Sequence, residues 1–135
     1  MSEENVATVQ AIWDALNRGD ADEATERMPE DFVFDFSSSE NPESGVYRGR
    51  ESLKRVFQSL TEPWSEVEYF ALEYIAAGDH VVRVGGMRAR GEGSGAEVTA
   101  RGAQVWTFRD GTPTSMRLYQ SKDEALKAIG IEPGE

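Results

Sequence analysis

The sequence predicts an α+β fold in which amino-terminal helices pack inside a curved antiparallel sheet, forming a cone with a pocket between helices and sheet. Three observations support this prediction. Apolar residues recur at helical spacing in much of the amino-terminal half, strands separated by tight turns follow up to residue 120, and a short capped helix closes the chain. A ligand is therefore expected between the two layers.

Two helices are predicted before the first strand. Ser2 caps the first, which stops at Asn17. Its apolar stripe consists of Val6, Val9, Trp13 and Leu16. Asp20 and Glu23 form a capping box, which opens a second, short helix that Pro29 ends.

The middle of the chain combines a strand, a polar loop and a helix. Residues 32–36 alternate between apolar and other residues with a period of two, which predicts the first strand. Residues 37–45 are polar and rich in turn formers, and we interpret them as a mobile rim in preference to a lid. Residues 49–60 carry apolar side chains at helical spacing, which predicts a third helix that Pro63 terminates.

The carboxyl-terminal half predicts a four-stranded meander and a last helix. The strands are expected at residues 66–76, 81–90, 97–108 and 114–120. The glycine-rich turn at 91–95 lies between two strands, so it is interpreted as a hairpin turn and not as a phosphate loop. Ser121 and Glu124 begin the last helix, and Gly130 occupies the position of its carboxyl-terminal cap.

Composition excludes several classes of function. The net charge is −11, with −12 in residues 1–80 and +1 in residues 81–135, so we expect neither nucleic acid nor membrane partners. The chain has no cysteine and one histidine, His80, so neither thiol chemistry nor a multi-histidine metal site is expected. His80 follows a turn and is expected to be exposed. No secretory signal is apparent, and a cytoplasmic location is the expectation.

Three stretches resemble the NTF2-like superfamily, and specifically its SnoaL-like branch. They are residues 13–20, residues 47–53, and residues 107–111 continuing to 117–119 and 124–126. The resemblance implies that residues 1–135 form a single SnoaL-like (NTF2-like) domain on a ketosteroid-isomerase-like scaffold. Isomerases, cyclases, hydrolases, dehydratases and noncatalytic proteins share this scaffold, so the resemblance says little about activity.

The ketosteroid isomerases of this superfamily use a tyrosine and an aspartate to stabilise an oxyanion, and a second aspartate as the base. The positions that align with these three are Ile12, Trp106 and Phe36. None of these side chains performs the same proton transfer. Steroid isomerisation of that type is therefore not expected.

Asp35 is the candidate general base. It lies between Phe34 and Phe36 on a strand whose even-numbered positions are expected to be buried. A bulge that turned Asp35 inward would place its carboxylate beside aromatic rings and raise its pKa. Without a bulge, Asp35 faces solvent at the end of the strand. The sequence leaves both alternatives open.

Even-numbered positions on the last two strands are predicted, by the isomerase alignment, to face the pocket. They are Gln104, Trp106, Phe108, Met116, Leu118 and Gln120. Trp13 and Phe57 are expected to line the pocket from the helices, and Trp64 either folds over its mouth or caps the third helix. Such a pocket suits an apolar ligand with one or two carbonyl or hydroxyl groups. The alternative is that Trp106 and Met116 only pack in the core.

Four arginines alternate on the central hairpin, namely Arg83, Arg88, Arg90 and Arg101. An arginine inside the cavity would indicate a carboxylate or enolate substrate. Arg88 is the first choice because it shares parity with Val82 and Val84. The alternative places these arginines on the outer face, paired with glutamates.

Three classes of function remain open. One is a cofactor-independent isomerase, cyclase or hydratase that acts on a hydrophobic carbonyl compound, with Asp35 as its base. Another is a noncatalytic protein that binds a small hydrophobic molecule, and the third is a dimeric interaction module. A homodimer formed through the sheet is expected, because the family pairs in this way. No cofactor and no metal are expected.

Overall fold

Six strands and four helices make up the part of the chain that the computed structural model describes, which is residues 2–37, 45–61, 64–91, 93 and 95–131. The helices are α1 (Ser2–Asn17), α2 (Ala21–Glu26), α3 (Arg50–Thr61) and α4 (Lys122–Ala128). The strands are β1 (Val33–Asp35), β2 (Val46–Arg48), β3 (Trp64–Ala77), β4 (His80–Gly91), β5 (Glu97–Arg109) and β6 (Thr112–Tyr119).

The strands form one sheet in the order β2-β1-β6-β5-β4-β3. Strand β1 is parallel to β6, and the other neighbours are antiparallel. The predicted meander and the α+β class with a curved antiparallel sheet are confirmed. Strand β2 was not predicted, because three residues are too few for a periodic pattern and β2 depends on its pairing with β1. Residues 38–44, most of the predicted rim, and Pro63 lie outside the described residues.

The long strands bend where their glycines meet. A Cβ atom on Gly85 would lie 2.1 Å from the carbonyl oxygen of Phe70, and one on Gly86 would lie 1.9 Å from that of Ala100. The register between β3 and β4 also shifts between Ala71 and Glu73. Only glycine permits such close backbone approach, and a bulge increases the local twist, so the sheet curves at this point.

The main core lies on the concave side of the sheet, under α1, α2 and α3. Its largest fully buried side chains include Trp106, Phe32, Ile12, Leu53 and Met116. Val81, Trp106, Met116 and Phe34 are successive cross-strand neighbours on β4, β5, β6 and β1. These four residues form one apolar row, which we call the core row.

Helix α4 covers the opposite face of the sheet. The Ser121 hydroxyl caps it by accepting a hydrogen bond from the Glu124 amide at 3.2 Å, as predicted. Ala125 and Leu126 then pack against side chains of the other parity, namely Val82, Ala103 and Val105. Both faces of β4 and β5 are therefore buried at this end of the sheet. None of the helices in the described residues is long and apolar enough to span a membrane.

Candidate ligand-binding cavity

A cavity of about 360 Å³ lies between the concave face of the sheet and the helices. This is within the size range of small-molecule sites. Its aromatic wall includes Trp13, Phe34, Phe36, Phe57 and Tyr69. The Trp13 and Tyr69 ring centroids are 4.9 Å apart, and Phe57 meets Trp13 edge-on at 6.1 Å. These interlocked rings provide a rigid apolar surface.

The cavity begins one cross-strand row beyond the core row. Arg83 on β4, Gln104 on β5 and Leu118 on β6 are successive cross-strand neighbours that line the cavity. In the next row on the same face, Gly85 pairs with Gly102. Because neither glycine has a side chain, the space above them remains open.

Arg83 is the buried cation of the cavity. Only 3% of the residue is exposed, and its guanidinium carbon lies 4.3 Å from the centre of the Trp13 ring. Burial lowers the pKa of Arg83, and a hydrogen bond with Tyr74, its neighbour on β3, partly opposes this effect. The group still remains charged at physiological pH. Among the described residues no carboxylate forms an ion pair with it, and its Nε–H has no hydrogen-bond partner.

Two other buried polar groups of the cavity wall lack partners among the described residues, the Trp13 indole N–H and the Tyr69 hydroxyl. Burial raises the pKa of Tyr69 to about 12, so this hydroxyl stays neutral and able to donate. The side chain of Asn17 fixes the Tyr69 backbone. It donates to the Tyr69 carbonyl at 2.8 Å and accepts from the Tyr69 amide at 2.7 Å.

Gln104 adds a further donor. Its side-chain oxygen accepts a hydrogen bond from the Trp106 indole N–H at 3.1 Å. An indole only donates, so this bond fixes the orientation of the amide, and the NH₂ group is the end available to a ligand.

Asp35 does not line the cavity. Its carboxylate pairs with Arg117 on β6 at 3.3 Å and accepts hydrogen bonds from the Ser37 amide and hydroxyl at 3.0 and 2.5 Å. Burial tends to raise the pKa of Asp35, but the Ser37 bonds and the Arg117 charge outweigh it and leave the pKa below its usual value. The even-numbered Phe34 is buried instead, and no inward bulge occurs in β1. Of the two alternatives left open by the sequence, the structure shows the one without a bulge, and the candidate base Asp35 lies outside the cavity wall with a lowered pKa.

Arg88 also lies outside the cavity, contrary to the first choice made from parity. Its side chain is 48% exposed and pairs with Glu68 at 2.8 Å. The parity with Val82 and Val84 holds, but those valines face α4 on the outer side of the sheet. Arg101 also belongs to the residues around the cavity, but its position on β5 shares the parity of Ala103 and Val105, whose side chains face α4.

The other predicted pocket residues divide into two groups. Trp13, Phe57, Gln104, Leu118 and Gln120 line the cavity. Trp106, Phe108 and Met116 are buried on the predicted face, but they lie in the core and not in the cavity wall. Trp64 begins β3, and its side chain is outside what the structure describes.

Tyr69, Phe34 and Met87 were not predicted to line the cavity. The available signal for Tyr69 was the polar Asn17 at the end of an apolar helix stripe, since an amide there can bind the backbone of a neighbouring strand.

His80 is partly buried, and its Nδ1 lies 3.2 Å from the Thr107 hydroxyl oxygen.

The described cavity wall contains no aspartate, glutamate, histidine, serine or threonine. Elsewhere in the described residues, no group of three or more metal-ligating side chains could hold a metal ion. The polar groups of the wall are mainly donors. The arrangement can therefore bind and polarise an oxygen-bearing molecule, but it offers no carboxylate base.

Helices held in the concavity of a curved sheet, with a cavity between them, define the NTF2-like class of α+β proteins. The chain belongs to the SnoaL-like domain family, whose sequence model matches residues 9–116. A search of functionally curated proteins gave no significant match.

Solved structures of low sequence identity share the fold. A putative polyketide cyclase from Xanthomonas campestris pv. campestris is 20% identical, with a TM-score of 0.75 over 96% of this chain and 98% of that one. TerC, co-crystallised with polyporic acid, is 20% identical, with a TM-score of 0.74 over 87% and 91%. A Mycobacterium tuberculosis protein in complex with estradiol-17β-hemisuccinate is 18% identical, with a TM-score of 0.72 over 89% and 95%.

Proposed function

We propose that this protein binds a small, largely apolar molecule with carbonyl or hydroxyl oxygens in the cavity between the sheet and the helices. The observation that carries the proposal is the set of buried donors without partners, on Trp13, Tyr69 and Arg83. Buried polar groups are almost always hydrogen-bonded, and leaving one unsatisfied costs about 1–3 kcal/mol. Three residues of one cavity wall carry such groups, and a bound molecule whose oxygens accept from them would supply the missing partners.

The known ligands of two structural neighbours agree with this proposal. TerC was solved with polyporic acid, and the Mycobacterium tuberculosis protein was solved with estradiol-17β-hemisuccinate. Both are small organic molecules.

Binding without catalysis is favoured over an isomerase, cyclase or hydratase. A carboxylate base facing the ligand was the requirement for catalysis, and Asp35 does not meet it. The second candidate is an enzyme that stabilises an enolate. The hydrogen-bond donors of the cavity wall are the observation that supports it, because donors in a dry site stabilise a developing oxyanion.

Calorimetric titration with 2-acetylnaphthalene, an apolar aromatic ketone, tests the binding function. The wild type should bind with a dissociation constant below about 1 mM, a modest affinity for a fragment of this size. Leu118→Trp, which places an indole ring in the cavity, should strongly reduce the heat of binding. Leu72→Trp is the matched control, because Leu72 is 60% exposed on β3 and is not part of the cavity wall. Equal binding by both variants would place the ligand elsewhere.

Exchange of the ketone's methyl protons in D₂O separates a binder from an enzyme. A binder leaves the exchange rate at the buffer value. An enzyme accelerates the exchange, and Tyr69→Phe slows it again. Proton NMR of the same ketone measures both rates.

A homodimer formed through the sheet remains part of the proposal. Leu72 is exposed on β3, with 60% of its surface accessible. Light scattering should give twice the chain mass of 15.0 kDa. A monomeric mass at micromolar concentration would remove the dimer and leave the ligand site unaffected.

A further inference from the structure

We propose that the ligand of this cavity is an organic anion, an apolar aromatic molecule that carries a carboxylate or a comparable delocalised oxyanion, with Arg83 as its counter-ion. This inference rests on the proposed function and narrows its ligand class.

The first step is the unbalanced charge of Arg83. A buried cation is normally paired, because removing it from water costs several kcal/mol. Among the described residues, the face of Trp13 and the Tyr74 hydroxyl are the groups that offset this cost, and the Arg83 Nε–H has no partner there. A planar guanidinium matches a planar carboxylate, so an anion supplies the partner that the described residues lack.

The second step is the sign of the electrostatic potential in the cavity. The protein carries a net charge of −11, yet Arg83 is the charged side chain buried in the described cavity wall, and that wall contains no acid. A buried cation with no acid beside it in that wall produces a locally positive potential. This potential opposes the field of the acidic surface and attracts anions.

The third step is the count of donors. Arg83, Trp13, Tyr69 and Gln104 are residues of the cavity wall that carry hydrogen-bond donors, and the Arg83 Nε–H, the Trp13 Nε1–H and the Tyr69 hydroxyl have no partner among the described residues. A carboxylate has about four lone-pair sites, whereas a ketone oxygen has two. A neutral ligand therefore leaves donors unsatisfied that a carboxylate satisfies, which gives a preference for the anion.

The aromatic wall specifies the rest of the ligand. Trp13, Phe34 and Phe57 form edge-to-face pairs, and they leave apolar surface facing the cavity. A ring system attached to the anionic group would pack against this surface. The combination excludes small hydrophilic anions such as phosphate as the main ligand.

Calorimetric titration with 2-naphthoate and 2-naphthamide tests the inference, since the two probes share one ring system and differ in charge. The wild type should bind 2-naphthoate at least about tenfold more tightly than 2-naphthamide, a difference expected from one buried charge-assisted hydrogen bond. Arg83→Met should remove this preference and change the affinity for 2-naphthamide by less than about threefold. Arg83→Lys should retain part of the preference, because it keeps the charge. Arg88→Met is the matched control and should behave as the wild type.

Each other outcome has a defined meaning. Equal wild-type affinity for both probes overturns the anion preference and leaves the proposed function intact, and this comparison needs no variant to fold. A preference that persists in Arg83→Met, or that disappears equally in Arg88→Met, overturns the role of Arg83. Failure of both probes and of 2-acetylnaphthalene to bind contradicts the proposed function itself.

Discussion

Arg83 and Arg88 lie on the same strand, and each guanidinium carbon lies 4.3 Å from the centre of an aromatic ring, but their surroundings differ. Arg88 stands over Phe70 on the outer face, is largely solvated and pairs with Glu68 at 2.8 Å. Arg83 stands over Trp13 on the concave face, is 3% exposed and forms no ion pair with a described carboxylate.

This difference separates surface electrostatics from a site. An exposed pair such as Arg88 with Glu68 contributes at most about 1 kcal/mol to stability. The charge of Arg83 instead costs stability, because it is desolvated without a matching anion. A buried charge that lacks a partner at a cavity is expected to have a functional role. The following predictions test whether Arg83 has such a role and Arg88 does not.

The largest effect is expected from truncating Trp106, which belongs to the core row beside Arg83. Trp106 is 2% exposed and packs against Phe32. Trp106→Ala should lower the free energy of unfolding by about 3–5 kcal/mol, measured by urea denaturation. Leu72→Ala, on the exposed side of β3, should change it by less than about 0.5 kcal/mol. An unchanged midpoint for Trp106→Ala would mean that the concave face is assigned to the wrong side of the sheet.

Tyr69 should give the protein a stability that depends on pH in the alkaline range. Its pKa is raised to about 12 by burial, from 10.0. Between these values the unfolded chain releases the proton and the folded chain keeps it, so unfolding becomes easier as pH rises from about 10 to about 12. The free energy of the wild type should fall by at most about 1.4 kcal/mol per pH unit relative to Tyr69→Phe. A difference that stays constant from pH 9 to 11 would show that the hydroxyl is solvated.

Arg83→Met tests the comparison of the two arginines through stability in the absence of ligand. Replacing the buried charge by an apolar side chain of similar length should raise the free energy of unfolding by about 1 kcal/mol. Arg88→Met should change it by less than about 0.5 kcal/mol. Thermal and urea unfolding measure both variants. A loss of more than about 1 kcal/mol in Arg83→Met alone would show that Arg83 is structural and its charge already satisfied.

The smallest effect is expected from Asp35. Its pKa lies below the usual 3.8, so its ion pair and hydrogen bonds stabilise the fold above about pH 4 and are lost as pH falls through the folded-state pKa. Asp35→Asn should lower the free energy of unfolding by less than about 1 kcal/mol at pH 7, and the difference should shrink in acid. Ligand affinity should not change. A large loss of affinity would show that Asp35 belongs to the ligand site.

The sequence was sufficient to predict the helices and the meander, but not β2 and not which face of each strand points to the helices. Helix caps such as Ser121 and turns such as residues 110–111 are local signals, so the four helices and the meander could be predicted. Which face of β4 points to the amino-terminal helices could not be predicted. Val81 and Val82 are both fully buried, one under the amino-terminal helices and the other under α4, so apolar parity does not distinguish inside from outside.

The cavity wall depended on the same long-range information. Only the pairing of Arg83 with Gln104 across β4 and β5 places this arginine on the concave face. The core row and the cavity row are only two residues apart on each strand. Trp106 and Met116 were therefore predicted to line the cavity, although they lie in the core. Such a boundary depends on how far the helices extend over the sheet.

Side-chain NMR during titration with 2-naphthoate tests most directly whether Arg83 anchors the ligand. The Nε–H signal of Arg83 and the indole N–H signal of Trp13 can be assigned with Arg83→Met and Trp13→Phe. Both signals should shift with added ligand, while the Nε–H signal of Arg88 and the indole N–H signal of Trp106, which is already bonded to Gln104, should stay in place. Shifts at Arg88 with no change at Arg83 would contradict the assignment of the buried arginine as the ligand's counter-ion.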